Sequence, residues 1–403
     1  LAEQKRAKSW VPVVALLAVG LALVGGKLRQ WYDTRGVVSV VVLPFDGASE
    51  LRLTLAQVEG VRIMGDSTSQ RFPLDAAAQP QRAAELALDY IVRHDNGGLA
   101  LARAAGGAVV WRGALDANAL LAALGKTVHV KPYRISPPAE RARQALRRLD
   151  RLEGDTVAVL AELRAAAAEA LAASEAQPEA HTARAVVLML DSHNWAEAEK
   201  HLRRALELRP ADAMAARWYA HHLEANGRAD DALEAMLRAL SVEPLAPEVA
   251  IPLALTYIHD QQWQLAAAHL AQCEKVFPAH PALPLVRAFW HRAQADWAGT
   301  LAALDNTALA HLALPLRAEA LARLGRKEEA ARLVGELPAS APADLTALAL
   351  LALGRTADAY AAFERAVEQR SPTLFILQAS PVMENMQKNP SYRAILARLN
   401  LKR

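Results

Sequence analysis

Residues 195–210 read WAEAEKHLRRALELRP, residues 229–244 read ADDALEAMLRALSVEP, and residues 263–278 read WQLAAAHLAQCEKVFP. Each is an Ala-rich amphipathic helix that runs into a proline, and Pro210, Pro244 and Pro278 stand 34 residues apart. Proline has no N–H to extend a helix and its ring clashes with the preceding turn, so each of the three marks a helix end. Between successive prolines there is room for two helices and two turns. The chain from residue 179 onward is therefore expected to be a stack of helix pairs.

Two independent residue classes keep the same register. Small residues fall where paired helices must approach closely: Ala198 and Ala205, then Ala220, Ala232 and Ala239, then Ala254, Ala266 and Cys273. Leu202, Met236 and Leu270 share a bulky register, and Trp195, Trp263 and Trp297 share another, with Ala229 in the missing slot. This period and pattern are those of the tetratricopeptide repeat. Units at 179–211, 213–245 and 247–280 are clear. A fourth unit continues through 301–304 without its closing proline, and shortened units follow at 320–337, with LGRKEEA, and at 347–367, with LGRTADA, giving roughly six in all over 179–380. Residues 157–178 are expected to cap the start of the array and 381–403 to cover its last apolar face, because terminal repeats must shield an exposed core.

Repeat arrays build recognition surfaces. In this register the first helix of each pair lines the concave side and presents Arg217, His221, Glu224, Leu255, Ile258, His259, Phe289 and Arg292. The expected site is a mixed groove for a protein or peptide. Two arginines would hold a carboxylate or phosphate, while Leu255, Ile258 and Phe289 take an apolar part. The alternative is an ordinary solvated face, or one covered by the preceding domain.

The rest of the 403-residue chain bounds the function further. A net charge of +3 is too small to imply a nucleic-acid field, and the single cysteine, Cys273, excludes an intrachain disulfide. Residues 10–26, WVPVVALLAVGLALVGG, carry no charge and as a helix would reach roughly 26 Å, near the thickness of a bilayer core. They read as a transmembrane helix after a cytoplasmic stub at 1–9, with Trp10, Trp31 and Tyr32 at the interfaces. A signal peptide or a buried helix are the alternatives. Basic residues flank both ends (Lys5, Arg6 and Lys8; Lys27, Arg29 and Arg35), so charge does not set the orientation.

Residues 37–131 form a small α/β unit. The run VVSVVVLPF at 37–45 is a buried strand, 61–64 a short one, and QRAAELAL at 81–88 a helix running into a strand at 89–93. Helices are also expected at 50–59 and 116–124, with a hairpin at 99–104 and 108–111 around Gly106 and Gly107. Pro132, Pro137 and Pro138 open a linker at 132–178. Its Arg141, Arg143, Arg147, Arg148 and Arg151 alternate with Glu140, Asp150 and Glu153 as a solvated helix face.

No catalytic constellation is legible. Gly125-Lys126-Thr127 lacks the leading glycine of a phosphate loop, where Leu120 stands. Neither His221-His222 nor His259 with His269 has metal-ligand spacing with an acidic partner. Cys273 occupies a packing slot and is expected to be inert. Catalytic residues, metal ligands and cofactors are all expected to be absent, and the chain is read as a non-enzyme.

The segments VVLPF at 41–45, AELALDYIV at 84–92 and GGAVVW at 106–111 resemble the amino-terminal domain of TolB. An anchor, such a domain and tetratricopeptide repeats together resemble ToxR-type membrane-anchored transcriptional regulators. The resemblance implies a mainly α chain acting as a periplasmic sensory region on the bacterial inner membrane. It also implies a winged-helix DNA-binding domain ahead of Leu1, through which alone nucleic acid would be bound, and leaves room for a homodimer. The chain starts at Leu1 rather than Met, and a longer product is expected. An envelope scaffold without a role in transcription is the competing reading.

Overall fold

The computed structural model describes residues 37–401 except 46–47, 59–60, 73–78, 96–97, 127–132, 152, 211, 306, 375–382 and 384–385. The expected stub and membrane span at 1–9 and 10–26 lie outside the described residues. Among those described, no helix is long and apolar enough to cross a membrane.

The first unit is a five-stranded sheet in the order β2-β1-β3-β4-β5. Its strands are β1 (Val38–Val42), β2 (Val61–Ile63), β3 (Tyr90–Asp95), β4 (Gly98–Arg103) and β5 (Val109–Gly113). Strand β1 runs parallel to both neighbours, with Val40 opposite Ile63 and Tyr90, and β3, β4 and β5 follow as an antiparallel meander. The β-branched run of β1 is buried on both faces, as a central strand requires. Helices α1 (Ala48–Leu55) and α4 (Ala117–Ala123) cover one face through Leu51, Leu55, Leu120 and Leu121. Two further helices are α2 (Asp66–Arg71) and α3 (Gln79–Glu85). Helix α2 carries no apolar periodicity and was not expected; it is held by contacts from elsewhere in the chain. Helix α3 ends earlier than its periodicity suggests, since Ala87 turns left-handed (φ 50°) and sends the chain into β3.

The array contains α5 (Pro137–Asp150), α6 (Thr156–Ala173), α7 (Pro178–Leu190), α8 (Trp195–Leu208), α9 (Ala213–Ala225), α10 (Ala229–Val242) and α11 (Pro247–His259). It continues through α12 (Trp263–Val276), α13 (Leu283–Ala293), α14 (Trp297–Leu304), α15 (Ala310–Arg323), α16 (Lys327–Gly335), α17 (Ala343–Ala352) and α18 (Thr356–Glu368). These pair as consecutive antiparallel hairpins. The segment expected as a linker and capping helix is itself such a hairpin, α5 with α6. The alanines and Cys273 singled out above are all buried, as are Leu202, Met236 and Leu270. The helices therefore close on small side chains and interdigitate on large ones.

Within each of four hairpins the chain reverses through one left-handed residue: His193 (φ 51°), Gly227 (φ 74°), Gln261 (φ 57°) and Ala295 (φ 57°). They are spaced by the same 34 residues. The N–H of Arg228, Gln262 and Asp296 then bonds the carbonyl five residues back, closing the end of the first helix.

The sheet unit rides on the turns between repeats. At the turn before α9, Arg209 pairs with Glu179 (2.8 Å) and Asp212 (2.9 Å), and its guanidinium lies over the ring of Tyr133. Tyr133 in turn donates its hydroxyl to Glu179 and its N–H to Thr54 of α1 (2.8 Å). At the next turn Arg62 of β2 donates to the Ser241 carbonyl, Gly65 N–H to the Val242 carbonyl, and the Glu243 carboxylate accepts from Thr68 N–H at the start of α2. A methyl at Gly65 would lie 1.8 Å from Glu243 Oε1, so only glycine admits this cap. Leu245 completes the apolar cluster beneath the sheet with Val41, Ile91 and Phe72, and Val276 packs against it.

The far end of the chain returns to the beginning of the array. Helix α19 (Pro390–Arg398) buries Tyr392, Ile395 and Leu396, with Tyr392 edge-on to Phe363 of α18. The indole of Trp195 donates to the Leu399 carbonyl (2.7 Å), Asn400 Nδ2 to the His193 carbonyl (3.3 Å), and Arg370 Nε to Asp191 (2.6 Å). One continuous apolar cluster runs from α5 to Leu401. The array closes into a ring.

A non-glycine residue in the left-handed region costs about 1 kcal/mol, partly offset by the greater unfolded-state freedom of glycine. Gln261→Gly and Ala295→Gly are therefore expected to raise the melting temperature and Gly227→Ala to lower it, as measured by thermal unfolding of the three variants. The opposite order would contradict the shared turn.

Candidate functional site

The inner helices bring the eight expected groove residues onto neighbouring elements: Arg217, His221 and Glu224 on α9, Leu255, Ile258 and His259 on α11, Phe289 and Arg292 on α13. They are not equally available. His221, Leu255 and Phe289 are half-buried and form the accessible strip, joined by Met214, whereas the His259 imidazole is turned inward. Arg217, Glu224, Ile258 and Arg292 are buried, at 6 %, 5 %, 2 % and 2 % exposure.

Both arginines depart from their expected role as ligand anchors. Arg217 forms an ion pair with Asp150 at the end of α5. Arg292 makes a two-pronged contact with Glu319 of α15, Nε to Oε2 at 2.6 Å and Nη2 to Oε1 at 3.0 Å. A guanidinium held this far from water needs a carboxylate partner, and the fold supplies one in each case. Neither partner follows from the sequence. Asp150 reads as part of the solvated face of α5, and Glu319 lies just ahead of the shortened unit at 320–337, where the 34-residue register is lost. The solvated-face reading does fit the arginines of α5: Arg141, Arg143, Arg148 and Arg151 pair with Glu169, Glu140, Glu162 and Glu153.

Between the two pairs sits Glu224, with His221 Nδ1 at 3.3 Å from one oxygen and His259 Nδ1 at 3.4 Å from the other. Burial pushes the Glu224 carboxyl up. The nearby charge of His259 and the hydrogen bond of His221 more than reverse this, holding it well below the usual carboxylate range. Asp150 is raised, because burial outweighs the pull of Arg217. Chemically, the strip offers an apolar centre, Leu255 and Phe289, flanked by the His221 imidazole, which is hydrogen-bonded to the buried Glu224 carboxylate. It suits an apolar side chain of a partner, with hydrogen bonding at its edge.

Elsewhere, Cys273 is buried with its thiol pushed up to about 12 by burial, and its sulfur lies against the Ala250 carbonyl. Such a thiol is a poor nucleophile. Among the described residues no group of three or more His, Cys, Asp or Glu could hold a metal ion.

The helical array is a tetratricopeptide-like solenoid. No protein-family profile matches the chain, and no curated protein is detectably similar to it. Among solved structures, a tetratricopeptide repeat protein from Parabacteroides merdae is 16 % identical over 60 % of this chain and 98 % of its own, with a TM-score of 0.41. PilF from Pseudomonas aeruginosa is 20 % identical over 50 % of this chain and 90 % of its own, at 0.36. PilW, a type IV pilus biogenesis factor, is 16 % identical over 65 % of this chain and 100 % of its own, at 0.37. The solenoid assignment rests on the chain's own geometry, in which prolines, small residues and left-handed turns recur together every 34 residues.

Two outcomes follow. Arg292→Ala leaves Glu319 charged and buried and is expected to cost about 3–5 kcal/mol in urea unfolding, whereas Arg292→Met with Glu319→Leu recovers most of the loss. A double variant no better than the single would contradict the pairing. Burial also lowers the imidazole pKa of His201, His222, His269 and His280. Above the unfolded value of about 6.5 these groups are neutral in both states and contribute nothing. As the pH falls below it, the unfolded chain takes up protons that the folded chain refuses, so stability declines. The melting temperature is therefore expected to drop between about pH 6.5 and 5, before the carboxylates titrate; a flat profile in that window contradicts the assignment.

Proposed function

We propose that this chain is the sensory and protein-interaction region of a membrane-anchored regulator, and that a protein or peptide partner is bound at His221, Leu255 and Phe289. The observation that carries the reading is the attachment of the α/β unit to successive inter-repeat turns. Tyr133 reaches the turn of Pro210, and Arg62, Gly65 and Thr68 reach the turn of Pro244. A partner that alters the stacking of α9 on α11 moves those turns, and with them the sheet from which the chain leads back to residues 10–26. By the resemblance to ToxR-type regulators, that segment anchors the chain in a bacterial inner membrane with the solenoid in the periplasm. The signal then passes to a DNA-binding domain preceding Leu1, through a change in a homodimer.

One observation favours the competing scaffold reading. The ring is closed and its inner arginines are neutralised internally, which suits a body of fixed shape that organises an envelope complex without a role in transcription.

Photo-crosslinking in cells tests the interaction common to both readings. A photoreactive residue at Leu255 or Phe289 of the full-length protein is expected to give a discrete adduct that the same residue at the exposed Glu234 of the outer helix α10 does not give. Equal adducts, or none from the inner positions, would overturn the groove assignment. Disabling the adduct while a reporter of the attached domain stays unchanged would leave the scaffold and remove the regulator.

A further inference from the structure

The 34-residue period sets a second row beside the accessible strip. Met214, Glu248 and Ala282 share one register, and His221, Leu255 and Phe289 share another, seven residues further on. All six are half-buried. Residues seven apart lie on one face of a helix, so Glu248 and Leu255 look to the same side of α11, about 10 Å apart along it. Glu248 is the one carboxylate in the two rows, and its charge is unanswered. Its Oε2 is buried and accepts no hydrogen bond, and among the described residues no cation pairs with it. The nearby His280 is kept neutral by burial, which outweighs the pull of Glu248. Asp150, at the end of α5, lies close enough to Glu248 for each carboxylate to oppose the charge of the other. The Asp150 side chain is 8 % exposed; Oδ2 pairs with Arg217, and Oδ1 is buried without a partner. Two carboxylates therefore share a single guanidinium. The Trp218 indole, edge-on to His221, adds a buried N–H that has no acceptor. Acceptors and a donor left open together in one buried neighbourhood mark a site that is completed from outside.

We propose that the Glu248 end of the strip receives a lysine or arginine side chain of the bound protein partner, while Leu255 and Phe289 take an apolar residue beside it. The inference rests on the groove reading above and fixes the charge of the occupant. The inner arginines, which would call for a carboxylate or phosphate, are already taken by Asp150 and Glu319, and the charge left over at the strip is negative. A cation seated at Glu248 also offsets the second charge of the neighbourhood, that of Asp150. A basic group that leaves water there meets two carboxylates, which compensates its lost hydration where one exposed acid would not. The distance from Glu248 to Leu255 along α11 equals about three residues of extended chain, so the basic and apolar residues of the partner stand about that far apart in its sequence.

A pool of random octapeptides, each with one fixed Phe, offers the probe. The full chain carrying a photoreactive residue at Leu255 is irradiated with the pool, and the crosslinked peptides are sequenced. Lys and Arg are expected to be enriched about tenfold over Asp and Glu within about four positions of the Phe. Glu248→Gln is expected to abolish that enrichment without lowering the melting temperature, because Glu248 has no partner to lose. Glu248→Lys, which places a cation beside Asp150, is expected to reverse the preference towards Asp and Glu. Adducts whose composition ignores charge, or is the same for all three proteins, overturn the basic-residue site and leave the groove standing. A melting temperature that falls with Glu248→Gln overturns it as well, since Glu248 would then serve the fold. No adduct from Leu255 with any peptide removes the groove reading, and this inference with it.

Discussion

The hydrogen bond from the Trp195 indole to the Leu399 carbonyl joins residues 204 positions apart and turns a linear stack into a ring. In an open solenoid each repeat touches only its neighbours and stability is a sum of local terms. Here the first and last hairpins share one apolar cluster, so the two ends cannot loosen independently. Closure also explains the chemistry of the inner face. Arg217, Glu224 and Arg292 are buried on the inner helices, and a charge held there must find a partner in the protein. Arg217 with Asp150, Arg292 with Glu319, and Glu224 with two histidines are the consequence.

The ring is tied along two edges by unlike means. On the edge of the inter-repeat turns, the α/β unit is fastened by backbone hydrogen bonds and buried apolar side chains, with Glu243 capping a helix of another domain across a contact that only Gly65 permits. On the opposite edge, at the seam of the ring, the C-terminal strap (386–401) is fastened by buried apolar side chains, Tyr392, Ile395, Leu399 and Leu401, together with the Trp195 indole, the Asn400 amide and partly exposed ion pairs. The prolines that set the repeat length therefore also lie in the turns that position the sheet.

How much of this was legible follows from which interactions are periodic. The helix pairs could be read because two residue classes keep register at 34, and the structure buries both. The left-handed turn keeps the same register but only Gly227 of its four residues is a glycine; His193, Gln261 and Ala295 give no signal in the sequence. Helix α2 was invisible because its N-terminus is satisfied by Glu243, which reads as the ordinary end of α10. The eight residues of the expected groove lie on α9, α11 and α13, yet Arg217 and Arg292 are taken up by carboxylates from helices whose proximity depends on curvature. The closing segment could be recognised as a cap from its position. Its contact with Trp195 could not, because no periodicity links the two ends of an array.

The ring itself is the claim most open to direct measurement. Spin labels at Ser192→Cys and Ala397→Cys, both exposed and on opposite sides of the seam, report their separation by pulsed dipolar spectroscopy, with Cys273 too buried to interfere. The account predicts a single narrow population at short distance that broadens and lengthens when Trp195 is replaced by Phe. A broad, long distribution in the unaltered chain would contradict it.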